Sequence, residues 1–476
     1  MATKNAASTA SAPLVDPHLA NLSKIEHLVI LMMENRSFDH MLGYLTLAGR
    51  TDVDGLDSSM FNMYTATSGG APVRVGVEPM VSTGMQGFND PCHRGECVDQ
   101  QIAGSNGGFV QNYHDEYPAD DPSIVMRYFQ AKDLPVYDFL AREFAISDRW
   151  FSPVLGETWP NRLYAATGRA AGSRNNKKIP LYANKSFVRH LDKAGVSWKG
   201  YGDQTHYTIK LSDDNYRSSP NFEPLSGFHD NFGFIHDALN GTLPSVSIID
   251  PHFFKNDDHP TADVGLGQSL VARIYSAIAN GPRDQWDKTL LVILYDEHGG
   301  FFDHVSPGPA VDDDPVNFGS YGVRVPAFFI GGHVDRTQCF KTVCDHTSLI
   351  KTILLRFCQT GGKIPNMGKR VENAAHLGEV LSRVVPRQPP VLPAEVIESL
   401  AKVQAKAFVA SFKQDTKLPS NDQQNLIAAI RQNHKAMQTA AQKTNNAGKS
   451  TSKEKARTGT VTPKAAKVKK TTKGKS

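Results

Sequence analysis

Two short aliphatic runs stand out in the pattern of hydrophobic and polar positions along the chain. Residues 28–33 (LVILMM) and residues 290–294 (LLVIL) contain no polar side chain. Uninterrupted apolar runs of this length are typical of parallel strands that are buried on both faces. Both runs therefore predict central strands, and we expect them to lie side by side although they are far apart in the sequence.

The surrounding sequence alternates similar runs with helical stretches. Residues 244–250 and 325–332 predict two further strands, and residues 135–144 and 269–279 predict helices that Pro and Gly residues delimit. Alternation of this kind is typical of a wound α/β sheet. We therefore expect an α/β fold with three α/β/α layers around a mostly parallel central sheet.

The same pattern divides the chain into segments. We expect residues 24–385 to form the α/β domain and residues 1–23 to be a mobile N-terminal segment. Residues 386–442 begin with a Pro-rich linker and continue with two stretches of helical periodicity, which predict a helical C-terminal extension. Residues 443–476 are rich in Lys, Thr, Ala and Gly. They bury too little apolar surface to fold, and we expect a basic disordered tail.

Polar residues follow the two central runs almost directly. Glu34 and Asn35 follow the first run, and Asp296 and Glu297 follow the second. Because the carboxyl ends of neighbouring parallel strands meet at one edge of a sheet, we expect these four side chains to converge. Three carboxylates that share a pocket force protonation unless a cation joins them, which predicts a divalent metal site. The alternative is that acidic residues merely occupy polar loops after strands.

A threonine precedes a predicted helix between these two motifs. Thr158 lies in the sequence TWPNR, and Pro160 suits the first position of a helix. The free N–H groups and the dipole at a helix N-terminus favour an anion and a developing alkoxide. A hydroxyl at this place is therefore suited to phosphate chemistry. The alternative is that Thr158 only caps the helix.

Histidines beside polar residues are the next candidates among the 17 in the chain. His93, His259, His298 and His304 each have such neighbours in the sequence. A histidine near carboxylates can protonate a leaving oxygen or bind a phosphoryl oxygen close to neutral pH. Any single one of them is more often an ordinary surface or core histidine. His346 is interpreted as an ordinary histidine too, and bracing of the site from a helix start is its alternative role.

The motifs ENRSFDHMLGYL, TWPNR, DDHP and YDEHGGFFDHV resemble, in this order, those of the bacterial phospholipase C and acid phosphatase family of phosphoesterases. That family belongs to the alkaline phosphatase-like superfamily. The similarity spans roughly residues 24–357, and its first and last motifs are too long to arise by chance. The resemblance implies an alkaline phosphatase-like fold for the domain at residues 24–385.

The resemblance also implies roles for particular residues. The implied metal ligands are Glu34, Asn35, Thr158, Asp296 and Glu297. Thr158 is implied to be the nucleophile as well as a ligand. The all-oxygen ligand set favours Ca, Mg or Mn, with Zn as a further possibility.

Histidines complete the implied site. His93 and His259 are implied to be catalytic residues that bind the phosphate or donate a proton. We expect His304, in the GGFFDHV motif, and Asn35 to bind substrate as well. Family members often carry another residue where His298 stands, so the resemblance assigns no role to it.

The expected function is metal-dependent hydrolysis of phospholipid phosphodiesters of the phosphatidylcholine type, through a phosphothreonine intermediate. An acid phosphatase that acts on phosphomonoesters is the alternative within the same class. A more remote alternative is a lipid- or nucleic-acid-binding protein with a vestigial site. The expected partners are a phospholipid or a small phosphoester.

Charge is divided unevenly along the chain. Residues 443–476 carry 11 Lys and Arg residues against one acid, Glu454, whereas the remainder carries 41 basic and 47 acidic residues. The tail therefore has a formal charge of +10 and the remainder −6. We expect the tail to make at most weak contact with anionic membranes, and we expect no specific nucleic acid partner.

Cysteine spacing and the N-terminus bear on the compartment. Cys92 and Cys97 have the same spacing as Cys339 and Cys344, which suggests two small-loop disulfides and an oxidising compartment. Unrelated buried thiols are the alternative, and a zinc site is disfavoured because CxxC spacing is missing. The N-terminus lacks the apolar core of a secretory signal. We therefore favour a secreted or extracytoplasmic location without a cleavable signal peptide, with the cytoplasm as the alternative.

Overall fold

A computed structural model describes residues 16–176, 185–202, 207–226 and 232–412. Among these residues, eight strands form one sheet in the order β12-β6-β11-β10-β1-β9-β7-β8, and two pairs of short strands lie apart from it. The strands are β1 His27–Met33, β2 Phe61–Tyr64, β3 Val73–Gly76, β4 Glu78–Pro79, β5 Arg127–Tyr128, β6 Ala145–Ser147, β7 Trp198–Gly202, β8 Phe222–Glu223, β9 Val246–Asp250, β10 Thr289–Tyr295, β11 Ala327–Gly331 and β12 Gln338–Phe340.

Helices connect these strands. The α-helices are α1 Phe38–Leu42, α2 Tyr44–Leu47, α3 Gly95–Gln101, α4 Ala103–Asn106, α5 Phe109–Glu116, α6 Pro135–Glu143, α7 Thr158–Thr167, α8 Val188–Ala194, α9 Tyr207–Ser212, α10 Phe234–Asn240, α11 Val264–Ala279, α12 Arg283–Asp287, α13 Pro315–Phe318, α14 Thr347–Ile353, α15 Lys369–Asn373 and α16 Ala394–Phe412. Short 3₁₀ helices span Leu19–Lys24, Pro122–Met126, Asp214–Tyr216 and Leu377–Val380, and a π-helix spans Leu354–Cys358.

The two aliphatic runs form the centre of the large sheet. β1 and β10 pair in parallel from His27 opposite Thr289 to Met33 opposite Tyr295. All seven residues of β10 are buried, so both faces of this strand are covered. β11 is antiparallel to both of its neighbours, and the other pairs in the sheet are parallel. The expected α/β fold with a mostly parallel central sheet is confirmed.

The other predicted elements also form, with shifted ends. The run at residues 244–250 becomes β9, and the run at residues 325–332 becomes β11. The predicted helices become α6 and α11, and α11 starts at Val264, five residues earlier than predicted. The Asp263 carboxylate accepts a hydrogen bond from Gly265 N and so caps the N-terminus of α11.

The segments on either side of the predicted domain pack against it. Leu22 lies in the 3₁₀ helix Leu19–Lys24 and is 3% exposed, whereas residues 1–23 were expected to be mobile. In the predicted linker, the Arg387 carbonyl accepts a hydrogen bond from Trp286 Nε1 at 2.7 Å. Tyr275 of α11 donates its hydroxyl to the Pro390 carbonyl. These contacts join the described residues of both segments to the α/β domain, whereas residues 1–15 lie outside the described part of the chain.

The first helix of the predicted C-terminal extension is α16, which packs against α11. The second helical stretch and the basic tail at residues 443–476 lie outside the described residues. Within the described part of the chain, no helix combines the length and the apolar character that crossing a membrane requires.

Candidate active site

The carboxyl ends of β1 and β10 bring their acidic residues together. Asp296 Oδ1 accepts a hydrogen bond from Asn35 N at 3.0 Å and another from Glu297 N at 2.8 Å. Glu34, Asn35, Asp296 and Glu297 are all fully buried. The structure therefore places these four sequence-predicted residues at one edge of the sheet, where the parallel register of the two strands puts them.

A close backbone approach fixes the turn after each strand. Asn35 adopts a left-handed conformation with φ 58°, and Gly299 adopts one with φ 64°. A Cβ atom on Gly299 would lie 2.1 Å from the Asn35 carbonyl oxygen, so this position requires glycine. The Gly299 N–H donates to Glu297 Oε2 at 2.7 Å, which orients that carboxylate.

A buried arginine that the sequence did not single out lies among the carboxylates. Arg162 Nη2 lies 2.8 Å from Glu34 Oε1, and its Nε lies 3.4 Å from Asp296 Oδ2. Its Nη1 donates to Asp250 Oδ1 at 3.1 Å. Arg162 follows Thr158 by four residues on α7, so the two side chains share one face of the helix. That spacing within TWPNR was the available signal for Arg162.

One arginine does not balance the negative charge at this place. Burial raises the pKa of Glu34 well above its ordinary value, and the charge of Asp296 adds to the effect. Burial likewise raises the pKa of Asp296 to about 6, although Arg162 opposes it. Among the described residues, Glu34 Oε2 and Asn35 Nδ2 have no hydrogen-bond partner. A buried surplus of carboxylate oxygens of this kind fits a divalent cation.

Thr158 faces this cluster from the first turn of α7. Its hydroxyl donates to Asn35 Oδ1 at 3.4 Å, and the residue is fully buried. The helix was expected to start at Pro160, but it starts at Thr158, and Glu157 occupies the N-cap position. Because the Thr158 hydroxyl points to Asn35, the capping alternative is wrong.

Side-chain amides hold the turn that presents Thr158. Asn161 Nδ2 donates to the Gly156 carbonyl at 2.9 Å, and its Oδ1 accepts from Val154 N at 2.8 Å. The Trp159 N–H donates to Asn176 Oδ1 at 2.9 Å. These bonds tie the first turn of α7 to the chain segments before and after the helix.

Two of the predicted histidines adjoin the carboxylate cluster. His93 Nδ1 lies 2.5 Å from Glu297 Oε1, and the rings of His93 and His259 are 6.1 Å apart. Burial alone would raise the pKa of Glu297, but the charges and hydrogen bonds of His93 and His298 together outweigh it and lower the pKa to about 2. Burial and the charge of His93 lower the pKa of His259 to about 3. Asp90, which sequence reasoning missed, offers a carboxylate oxygen within 4.8 Å of ligand atoms of both histidines.

The remaining histidines have different surroundings. His346 Nε2 donates to the Asp296 carbonyl at 2.7 Å, while its Nδ1 accepts from Trp150 Nε1 at 3.1 Å. His346 therefore braces the strand end, as its place before a helix suggested. His298 Nε2 donates to Gln101 Oε1 at 2.8 Å and lies beside Glu297.

His304 makes its contacts away from this cluster. Its Nδ1 lies 2.7 Å from Asp39 Oδ2, and its Nε2 lies 3.0 Å from Asp54 Oδ1. Arg324 donates to Asp39 Oδ1 at 3.1 Å and completes a second buried charge network. The structure therefore brings together Thr158, His93, His259 and the four strand-end residues, but it does not bring His304 to them.

One of the two expected disulfides forms. Cys92 and Cys97 are bonded with Cα atoms 6.0 Å apart, and the bond flanks His93. Cys339 and Cys344 remain free thiols, so a second disulfide is not formed. Cys339 pairs with Ile146 on β6 and Cys344 pairs with Trp150. The two cysteines thus lie beside residues four positions apart in the neighbouring segment.

The site lies at one edge of a mostly parallel α/β sheet and is built around a buried cluster of carboxylates. Comparison with known families gives the assignment. The phosphoesterase family matches residues 25–358. The chain belongs to this phosphoesterase family.

Relatives come from plants and bacteria. The chain is 33% identical to non-specific phospholipase C6 of Arabidopsis thaliana over 342 residues, which cover 66% of the chain and 63% of that protein. It is 32% identical to non-specific phospholipase C4 of the same plant over 410 residues, covering 76% of the chain and 73% of the relative. It is 30% identical to phospholipase C B of Mycobacterium tuberculosis over 406 residues, which cover 74% of the chain and 76% of that protein. The chain spans less than two thirds of non-specific phospholipases C6 and C1, at 63% and 61% of their lengths.

Solved structures that resemble the chain are distant in sequence. A protein of the alkaline phosphatase superfamily from Vibrio parahaemolyticus is 12% identical with a TM-score of 0.37, and the match covers 82% of this chain and 88% of that one. A lipoteichoic acid synthase from Listeria monocytogenes is 12% identical with a TM-score of 0.36, and the match covers 84% of this chain and 95% of that one.

Proposed function

We propose that the chain is a metal-dependent phosphoesterase that hydrolyses phospholipid phosphodiesters of the phosphatidylcholine type through a phosphothreonine intermediate. The observation that carries the proposal is the position of the buried Thr158 hydroxyl, 3.4 Å from Asn35 Oδ1 at the edge where Glu34 and Asp296 meet. A hydroxyl beside surplus carboxylates and a helix N-terminus is suited to attack on phosphorus. The names of the plant and mycobacterial relatives support a phospholipid as the substrate.

The residues that would hold the metal are the oxygen-bearing side chains of the cluster. These are Glu34, Asn35, Thr158, Asp296 and Glu297. When bound there, a divalent ion would lower the pKa of the threonine hydroxyl and stabilise negative charge on a phosphoryl oxygen. Oxygen donors favour Ca, Mg or Mn, and Zn remains compatible with carboxylate ligands.

The first half of the reaction transfers the phosphoryl group to the protein. Thr158 first loses its hydroxyl proton to water, and its alkoxide oxygen then attacks phosphorus. A new O–P bond forms, and the bond from phosphorus to the leaving alcohol breaks. His259 donates a proton to the departing alcohol oxygen. In the protein alone, burial lowers the pKa of His259 to about 3. The negative charge of a bound phosphoester opposes that effect and favours the protonated ring.

The second half of the reaction releases the phosphoryl group. His259, now neutral, accepts a proton from water, and the water oxygen attacks phosphorus and displaces Thr158. His93, held 2.5 Å from Glu297, is placed to contact phosphoryl oxygens and offset their charge. The products are an alcohol and a phosphorylated head group.

The experiment that tests the nucleophile compares Thr158→Val with Thr158→Ser. Valine keeps the shape without the hydroxyl, so turnover of p-nitrophenylphosphorylcholine should fall by about a thousandfold or more. Serine restores a hydroxyl and should retain measurable turnover. Equal melting temperatures would show that both variants are folded. Near-normal turnover by Thr158→Val would refute the role of Thr158.

A second comparison concerns the ester class. The wild-type protein should have a higher kcat/KM for p-nitrophenylphosphorylcholine, a diester, than for p-nitrophenylphosphate, a monoester. A reversed preference would favour the acid phosphatase alternative. Both substrates release the same chromophore, so leaving-group chemistry is matched.

The compartment and the tail belong to the same proposal. The Cys92–Cys97 disulfide supports a secreted or extracytoplasmic location, because such bonds persist in oxidising environments. The basic charge of residues 443–476 supports weak contact with anionic lipid.

A further inference from the structure

A row of aromatic side chains lies beside the proposed catalytic groups. Trp159, next to Thr158 in the sequence, packs on Phe253 with ring centroids 6.2 Å apart. The ring of Phe253 lies 6.5 Å from that of Phe254. The ring of Phe254 lies 5.6 Å from that of His259. The row therefore leads from the residue beside the nucleophile to the proposed proton donor.

The members of this row differ in exposure. Trp159 is 1% exposed and Phe253 is 3% exposed, so both belong to the interior. Phe254 is only partly buried. Of the three rings, Phe254 is therefore the one that presents surface to a bound molecule.

The backbone at Phe254 is strained and held in place. Phe254 has a φ of 64°, a left-handed conformation that bulky residues rarely adopt. Its N–H donates to Asp257 Oδ2 at 2.5 Å, and the other oxygen of the same carboxylate accepts from His259 N at 3.1 Å. The Asp257 carbonyl in turn accepts a hydrogen bond from Glu34 N at 2.8 Å. One carboxylate thus fixes Phe254 and His259 relative to each other and to the end of β1.

Strain of this kind persists where the surroundings enforce it, and it is concentrated at functional sites. With His259 as the proposed proton donor, a ring fixed 5.6 Å from it adjoins the place of the leaving alcohol. The unburied part of the Phe254 ring offers apolar contact, which ester chains on the alcohol would bury.

We infer that Phe254 is a specificity-determining residue, whose ring contacts the apolar part of the leaving alcohol and favours phosphodiesters of acylated glycerol. The inference rests on the proposed function, because it takes His259 as the donor to the leaving alcohol. It adds that selectivity for the lipid part of the substrate lies in the segment between β9 and His259.

The test measures kcat/KM along a series that shares the phosphocholine group. The substrates are glycerophosphocholine, dibutyroyl phosphatidylcholine and dihexanoyl phosphatidylcholine, each as a monomer in solution. The variants are Phe254→Asn, which removes the ring but suits a left-handed backbone, and Phe254→Tyr, which keeps it. Phe139→Ala is the control, since Phe139 is a partly buried ring that packs on Tyr275 instead.

The wild-type kcat/KM should rise with acyl length. Phe254→Asn should lower kcat/KM about tenfold for the two diacyl substrates, which is equivalent to about 1.4 kcal/mol. For glycerophosphocholine, the same variant should lower kcat/KM less than about twofold. Phe254→Tyr and Phe139→Ala should follow the wild type. Loss of the same size on all three substrates would overturn the inference, because a ring that only shapes the loop around His259 gives that result.

The outcomes also separate this inference from the proposed function. If the wild type hydrolyses p-nitrophenylphosphorylcholine but its kcat/KM does not rise with acyl length, the role of Phe254 is refuted and the phosphoesterase proposal stands. If the metal-loaded wild type hydrolyses neither this substrate nor the series, the proposed function fails and the inference fails with it.

Discussion

The Thr158 hydroxyl donates to Asn35 Oδ1 across 3.4 Å, although 123 positions separate the two residues in the sequence. This contact joins the first turn of α7 to the end of β1, and β1 in turn lies beside β10, which carries Asp296. The relationship places a buried hydroxyl among carboxylates that burial tends to protonate.

The first prediction concerns metal binding at Glu34. Glu34→Gln keeps the size of the side chain and an oxygen that can accept from Arg162, but it removes one negative charge. Metal content after dialysis, measured by mass spectrometry, should fall severalfold, and turnover should fall with it. The metal-free variant should be at least as stable as the metal-free wild type, because the pKa of Glu34 is already raised by burial.

Thermal unfolding with and without added metal checks the second half of that prediction. Metal should raise the melting temperature of the wild type more than that of Glu34→Gln. Equal metal content and an equal increase in melting temperature for the two proteins would exclude Glu34 as a ligand.

The second prediction concerns the disulfide beside His93. Cys92 and Cys97 hold the segment that carries His93 against Glu297. Reduction of this bond should lower kcat about tenfold, because catalysis is sensitive to small displacements of catalytic groups. The double variant Cys92→Ala/Cys97→Ala should show the lower kcat without reductant and no further response to it.

Cys358→Ala provides the matched control, since Cys358 is a free, partly buried thiol. This variant should keep wild-type activity and full sensitivity to reductant. Unchanged kcat after reduction, with loss of the bond verified by thiol titration, would show that the disulfide does not position His93.

The third prediction concerns pH and the charge network around His304. Burial by itself lowers the pKa of His304, but the hydrogen bond and charge of Asp39 outweigh it and raise the pKa to about 9. The unfolded value is about 6.5. Because the pKa of His304 is higher in the folded protein than in the unfolded chain, protonation of His304 stabilises the fold. This stabilisation is complete below about pH 6.5 and disappears as the pH rises through 9.

His304→Gln should therefore lose stability on the order of 2 kcal/mol at pH 6 and much less at pH 10. Denaturant unfolding at the two pH values measures the difference, with the exposed residue His18 changed to Gln as the control. A destabilisation by His304→Gln that is the same at both pH values would contradict the ion pairs with Asp39 and Asp54.

The fourth prediction concerns the basic tail. Removal of residues 443–476 deletes a formal charge of +10, and hydrolysis of a soluble chromogenic substrate should be unchanged. If the tail contacts anionic lipid, its removal should weaken binding to phosphatidylserine vesicles, and about 0.5 M salt should weaken binding of the full chain likewise. Equal vesicle binding by both forms would exclude a role of the tail at membranes.

Some of this site follows from local sequence patterns and some does not. The ends of β1 and β10 were predictable, because an aliphatic run fixes a buried strand and parallel strands present their ends at one edge. Arg162 was not predicted, because its partners Glu34, Asp296 and Asp250 lie at the ends of three different strands. Its four-residue spacing from Thr158 was the local signal, but its ion pairs form only when those strands are assembled.

The prediction of a disulfide at the second cysteine pair, which was based on spacing alone, was wrong. Cys92–Cys97 and Cys339–Cys344 have identical spacing, yet only the first pair is bonded. The difference arises because Cys339 pairs with Ile146 of β6 and Cys344 pairs with Trp150. No local sequence pattern encodes this long-range pairing. The same limit applies to His304, whose neighbours in the sequence do not reveal that Asp39 and Asp54 engage both of its ring nitrogens.

The central claim is that Thr158 becomes covalently phosphorylated during turnover. Rapid acid quenching of the metal-loaded protein with p-nitrophenylphosphorylcholine, followed by peptide mass spectrometry, tests it directly. A phosphocholine adduct should appear on Thr158 of the wild type, and Thr158→Val should carry none. An active wild type that shows no adduct under conditions that trap early turnover, or an adduct on another residue, would contradict the assignment of Thr158 as the nucleophile.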